Sequence, residues 1–209
     1  MADEANSAGG SAATAGQARG MLTIVSGPSG VGKSTLTNRL IERLPAALSI
    51  SMTTRPRAAG DRDGHHYHFV DTETFERAIG DDAFLEWAKV YENYYGTPRK
   101  FVEERLAGGD PVVLEIDVDG ATQVKSRMPD VFAVFILPPS DEALLERLRS
   151  RGRDDEATIQ RRFSRAKSEF ERAEASGTYA AFVVNDDFER AAAELESLVR
   201  GEMQRRAGA

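Results

Sequence analysis

Gly27-Pro28-Ser29-Gly30-Val31-Gly32-Lys33-Ser34, followed by Thr35, joins two segments of different periodicity. Before it runs Met21-Leu-Thr-Ile-Val25, short, apolar and partly β-branched, which reads as a buried strand. After it Leu36, Leu40 and Leu44 recur every four residues until Pro45, the pattern of an amphipathic helix with a stop. Strand, glycine-rich turn and helix therefore follow one another without a gap. Glycines let main-chain N–H groups converge on an anion with no Cβ in the way, and the helix turns its positive end to the same point. The pattern G-x-x-x-x-G-K-[ST] in this setting predicts a cradle for a nucleoside triphosphate from Gly27 to Thr35. Lys33 is expected to span the β and γ phosphates and the Ser34 hydroxyl to hold Mg²⁺.

Working outward, the apolar runs Val112 to Ile116, Val131 to Leu137 and Phe182 to Val184 read as further buried strands, separated by segments of helical period. This order predicts an α/β fold of the P-loop NTPase kind: three αβα layers around a mainly parallel, five-stranded core sheet. The core is expected at 21–50, 110–140 and 177–209. Between 51 and 109 Gly, Asp, His and Tyr become frequent, and alternation such as His66-Tyr-His-Phe-Val70 suggests small antiparallel strands in an insert carrying binding groups. From 141 to 176, Leu144, Leu145 and Leu148 give way to an Arg- and Asp-rich turn and a helix bearing Ile159, Phe163, Ala166 and Phe170, read as a mobile lid. Leu195, Leu198, Val199 and Met203 mark an amphipathic closing helix. Residues 1–20 are rich in Ala, Gly and Ser and lack the apolar centre of a secretion signal, so a disordered tail is expected.

Composition narrows the classes. A chain of 209 residues suits one domain, and no apolar run approaches the roughly 20 residues of a membrane-spanning helix. The net charge of −7 argues against polymeric nucleic acid as a partner, because such binding rests on basic surface. The absence of cysteine removes disulfides and thiolate metal sites and fits a reducing compartment, so the cytoplasm is expected. A phosphate loop does not name a reaction. Asn185-Asp186-Asp187 is not the Asn-Lys-x-Asp stretch that likeness to GTPases would demand.

Ser51-Met-Thr-Thr-Arg55, Gly64-His-His-Tyr67, Phe84-Leu-Glu-Trp87, Asn93-Tyr-Tyr-Gly96 and Leu114-Glu-Ile-Asp117 follow the loop in order. Together with Gly27 to Thr35 they resemble the guanylate kinases, enzymes that move a phosphoryl group from ATP to GMP. The resemblance extends from about Met21 to the end of the closing helix. It implies ATP as donor, GMP as acceptor and Mg²⁺ as cofactor, and it leaves the oligomeric state open, a homodimer included. Guanine presents an N1–H and an exocyclic amine side by side, so a carboxylate such as Glu86 can accept from both, with Glu115 and Ser51 supplementing it. Adenine would set that carboxylate against an acceptor, and a stranded buried polar group costs about 1–3 kcal/mol or more.

For the acceptor phosphate the resemblance implies Arg55, Tyr67, Tyr95 and a second arginine three residues beyond the first. That position is Ala58 here, with Arg57 one place earlier. Either Arg57 swings into the role or the site works with one guanidinium fewer. Thr97 stands where the family often has serine and keeps the hydroxyl. Phosphoryl transfer spreads charge over three equatorial oxygens, so cations must gather on the bound substrates. Arg147 and Arg151 lie four apart on one helical face and Arg162 follows, matching the arginines of the family's lid; a solvated basic face paired with Glu146, Asp154 and Asp155 is the alternative. The resemblance also sets Asp117 beside Mg²⁺ or its water shell and Asn185 near the adenine. His65, His66 and His68 have no further ligand cluster beside them, although His66 and His68 would share a strand face, and no metal site is expected there. Two other classes stay open: a guanylate-kinase-like binding module, which typically loses the lysine present here as Lys33, and a kinase for another phosphorylated acceptor, against which Glu86, Tyr95 and Glu115 speak.

Overall fold

The computed structural model describes residues 19–208 except 91, 151, 153 and 154. Every residue of β1 (Leu22–Ser26) is buried, which fits a central strand covered on both faces. It lies in a five-stranded sheet ordered β2-β7-β1-β8-β9, where β2 is Ala47–Leu48, β7 Val112–Glu115, β8 Phe132–Leu137 and β9 Ala181–Val184. All its pairings are parallel, with Ile24 opposite Leu114 on one side and Ala133 on the other. Alternate side chains of β1 then serve different layers. Val25 joins a cluster with Leu36 and Leu40 of α1 (Lys33–Arg43) and Leu195 and Val199 of α7 (Phe188–Ala207). Ile24 packs with Val102 and Leu106 of α3 (Arg99–Ala107) and Val124 of α4 (Val118–Arg127) on the opposite face.

The segment between β2 and α3 builds a second sheet, ordered β4-β3-β6-β5: β3 Met52–Thr53, β4 His68–Phe69, β5 Phe84–Val90 and β6 Asn93–Pro98. Its core is aromatic. Phe75 of α2 (Thr72–Gly80) is fully buried and stacks on Phe84 and Tyr94 at 4.5 and 5.2 Å between ring centroids. Two hydrogen bonds of one side-chain amide tie this sheet to the core layer: Gln123 of α4 accepts from the Trp87 N–H and donates to the Trp87 carbonyl, at 3.3 and 3.2 Å.

After β8 the chain forms α5 (Asp141–Ser150) and α6 (Glu156–Ser176). The Asp155 carboxylate caps α6 by accepting the Thr158 N–H at 2.7 Å, and Arg149 pairs with Glu156 across the two helices. Leu144 and Leu148 pack on Ile159 and Ala166, while Phe170 and Ala173 reach Phe135 of β8. Among the described residues no helix is long and apolar enough to cross a membrane.

Two expectations are overturned. The strand expected at His66 to Val70 is only His68–Phe69, and it runs parallel to β3 rather than antiparallel. The chain between them makes a long return loop, in which His66 sits in a turn and its Nδ1 accepts the Arg62 N–H at 2.9 Å, so His66 and His68 share no strand face. The run at Phe182 to Val184 is a strand but not a buried one: β9 is the sheet edge, leaving Phe182 and Val184 at 37% and 41% exposure. Arg151, Asp154 and nearly all of the expected tail fall outside the described residues.

Because Phe75 is fully buried and is the ring α2 contributes to that aromatic stack, Phe75→Ala should destabilise the chain by about 3–5 kcal/mol. Urea unfolding measures this; a loss below about 1 kcal/mol would show that the insert does not depend on the stack.

Candidate active site

The C-terminal ends of β1 and β7 open on a cavity of about 600 Å³, the place where open α/β sheets hold ligands. Three parts of the chain line it. The core contributes Gly27, Ser29, Lys33, Glu115 and Asp117; the insert contributes Ser51, Tyr67, Glu86 and Tyr95; α6 contributes Arg161, Arg162, Arg165 and Glu169.

The phosphate loop is fixed by close packing. Gly27 has φ 146°, and a Cβ there would meet the Ile136 carbonyl oxygen at 2.5 Å. Gly32 caps α1 in the left-handed region, and a Cβ there would lie 2.6 Å from Asn185 Nδ2. No side chain caps that helix, so its first N–H groups remain directed at the loop. Lys33 Nζ donates to the Gly27 and Pro28 carbonyls at 2.5 and 3.0 Å, folded back over the loop it would use to hold phosphate. Asn185 lies behind the loop, donating from Nδ2 to the Val31 carbonyl at 2.7 Å. Arg147 reinforces the same corner, donating to the Asn185 carbonyl at 2.8 Å and the Val31 carbonyl at 3.4 Å. Arg162 reaches the loop from α6 and donates to Ser29 Oγ at 2.6 Å.

At the other end stands Glu86, only 7% exposed. Phe84, Leu85 and Glu86 are all buried in succession because a register shift between Phe84 and Glu86 breaks the two-residue alternation of β5. The antiparallel register then sets Glu86 opposite Thr97, whose hydroxyl donates to Glu86 Oε1 at 2.6 Å. Burial pushes the Glu86 carboxyl up to about 7, against the Thr97 hydrogen bond and with help from the Asp117 charge. Gly120 of α4 faces it, so close that a Cβ would lie 3.0 Å from Glu86 Oε2.

Between these ends sit the expected phosphate donors. Tyr67 and Tyr95 meet edge to face at 5.8 Å, and burial raises the Tyr67 hydroxyl above its ordinary range. The Arg55 guanidinium lies 5.5 Å from the rings of Tyr67 and Phe69 and pairs with Asp61 at 2.9 Å. Arg57 rests against the same Phe69 ring at 5.4 Å. Ala58, where a second arginine was expected, is held in a turn by its N–H to the Asp61 carboxylate at 2.7 Å.

The acids stand at different points of the cavity. Glu115 is brought to the loop, where Ser34 Oγ donates to its Oε1 at 2.7 Å. Asp117 caps α4 by accepting the Gly120 N–H at 2.9 Å, and the Arg165 guanidinium stands 3.7 Å from its other oxygen. Thr97, expected among the GMP-binding residues, donates its hydroxyl to the Glu86 carboxyl. The sequence reading missed Arg161, Arg165 and Glu169. Their spacing of four residues along one helix, with Arg165 Nε donating to Glu169 Oε1 at 2.9 Å, was the signal available.

With this geometry in place, the comparisons are specific. The family model described as guanylate kinase matches residues 19–202. A guanylate kinase of Carboxydothermus hydrogenoformans is 49% identical over 88% of this chain and 89% of its own length, and one of Myxococcus xanthus is 46% identical over 90% and 89%. The crystal structure of guanylate kinase from Anaplasma phagocytophilum superposes with a TM-score of 0.71 at 33% identity, covering 88% of this chain and 87% of that one. Sequence, fold and the triphosphate-to-carboxyl cavity thus agree, and the chain belongs to the guanylate kinase family.

Proposed function

We propose that this chain transfers the γ-phosphoryl group of Mg²⁺-bound ATP to the phosphate of GMP, giving ADP and GDP, and that it does so in the cytoplasm. One observation carries the acceptor: a buried carboxyl, Glu86, closes the cavity that begins at the phosphate loop. The ionised carboxylate matches the paired donors of guanine, and the Thr97 hydroxyl holds it in position. AMP would leave it facing an acceptor, a mismatch that a hydrogen-bonding site rejects by orders of magnitude.

In this proposal the loop N–H groups hold the triphosphate, and Lys33 exchanges the Gly27 and Pro28 carbonyls for phosphate oxygens. Ser34, Glu115 and Asp117 offer the hard oxygen donors that suit magnesium, and Ser34 and Glu115 already share a hydrogen bond. Mg²⁺ when bound neutralises charge on the β and γ oxygens. In this reading Glu115 serves the metal side, while Ser51, which lines the same cavity as Glu86, supplements it at the base. Arg55, Tyr67 and Tyr95 receive the GMP phosphate, with Arg57 near enough to join them. Arg162, with Arg147 and Arg151, brings positive charge over the triphosphate as α5 and α6 close and exclude water. The acceptor is already an anion, so no protein base is required.

ADP release from Mg²⁺ and ATP, assayed with GMP, AMP or no acceptor, is the primary test. Turnover should require GMP and fall about 100-fold or more in Lys33→Ala. Equal rates with AMP and GMP would refute the role given to Glu86.

Acidity gives a second test. Guanine needs the ionised carboxylate, and burial raises the Glu86 carboxyl to about 7, so a proton competes with GMP below that pH. The KM for GMP should rise roughly tenfold per pH unit below about 7 and level off above it, while that for ATP stays flat. A flat GMP profile from pH 5.5 to 8 would remove Glu86 from the base site.

The same shift touches stability. The folded value lies above the unfolded one, so the stabilising contribution of the neutral carboxyl is lost as pH rises through about 7. Glu86→Gln stays neutral, so it should abolish GMP use yet melt a few degrees above the unaltered chain at pH 8, the gap closing towards pH 5.

A further inference from the structure

α6 turns one face to the cavity, and the three arginines it sets there, Arg161, Arg162 and Arg165, stand at different depths. Arg162 is already at the donor end, on Ser29. Arg165 is one residue short of a further turn along the helix. Its Nε is held by Glu169 at 2.9 Å while its outer nitrogen lies 3.7 Å from Asp117 Oδ2. Glu169 is only 6% exposed, an unusual burial for a carboxylate on a helix that otherwise exposes its charges. A buried carboxylate must be paired, so Glu169 fixes where the Arg165 guanidinium points.

Asp117 locates that point. Two residues before it, Glu115 bonds the metal-side Ser34; three residues after it, Gly120 packs against the base-side Glu86. Arg165 therefore lies over the seam between the donor and acceptor subsites. On the acceptor side Ala58 supplies no guanidinium, and Arg57 rests on Phe69.

We propose that Arg165 is a further catalytic residue, contacting the phosphoryl group in transit, and that Glu169 is its positioning residue. This rests on the guanylate kinase reading above. As the bond from the γ phosphorus to the bridging β-phosphate oxygen breaks and the bond to a GMP phosphate oxygen forms, negative charge gathers on the three equatorial oxygens at the seam. The guanidinium exchanges Asp117 for those oxygens while Glu169 keeps it oriented. No proton and no electron need be moved.

The test uses the full chain with ATP, GMP and Mg²⁺, comparing Arg165→Ala, Arg165→Lys and Glu169→Gln for kcat, both KM values and melting temperature. Arg165→Ala is expected to lower kcat at least tenfold, with both KM values within about threefold and melting little changed. Arg165→Lys should recover part of kcat, because charge remains although the fork geometry is lost. Glu169→Gln should fall between them. A kcat in Arg165→Ala within twofold of the unaltered chain overturns the proposal. So does a rise in KM alone, which would mean ordinary substrate binding. If Arg165→Ala does not fold, Arg165→Lys decides by the same kcat criterion. Turnover that requires GMP in the unaltered chain and vanishes in Lys33→Ala stands or falls separately, so losing this assignment would leave the kinase reading intact.

Discussion

A phosphate cradle needs main-chain N–H groups that point at a ligand instead of at the protein, and the surrounding structure must hold them there without pairing them. Here the loop is pinned by contacts that only glycine permits. Gly27 sits against the Ile136 carbonyl at the end of β8, and Gly32 against the Asn185 side chain just beyond β9. The Val31 side chain is fully buried, and its carbonyl is taken by Asn185 and Arg147. The carbonyls are thereby satisfied from behind, and the amides at the start of α1 stay directed at the anion site. Parallel pairing of β7, β1 and β8 puts three strand ends at one rim, so the acids after β7 and the loop after β1 arrive together.

The second demand is a charged group out of water at the far end. A carboxyl as buried as Glu86 resists ionisation, and its titration near 7 reflects the balance between desolvation and the Thr97 hydroxyl. That balance suits a specificity element. The cross-strand register of β5 and β6 aims the Thr97 hydroxyl at Glu86.

Positive charge is concentrated where the reaction needs it, although the chain carries −7 overall. Arg161, Arg162 and Arg165 face the cavity from α6, opposite Glu86, Glu115 and Asp117. Arg162 bonds a loop hydroxyl and Arg165 pairs with two carboxylates, so both guanidinium groups are held in orientation at the cavity. The packing of α5 and α6 on each other, through Leu144, Leu148 and Ile159, makes one unit of the helices that carry Arg147 and Arg162.

The sequence by itself determined the elements whose physics is local. A β-branched apolar run, a glycine-rich turn and a leucine repeat specify β1, the loop and α1, because each depends only on neighbours in the chain. The ordered motifs around Arg55, Tyr67, Glu86, Tyr95 and Asp117 carried the family for the same reason. What required tertiary structure were choices between partners distant in sequence. Whether Glu115 meets Ser34, 81 positions away along the chain, depends on how β7 sits beside β1. That Phe182 and Val184 are exposed depends on β9 having no strand beyond it, which no periodicity records. Arg165 and Glu169 show the same limit. Their four-residue spacing was legible, but a helix has several faces, and only the packing of Phe170 and Ala173 on Phe135 decides which of them meets the cavity.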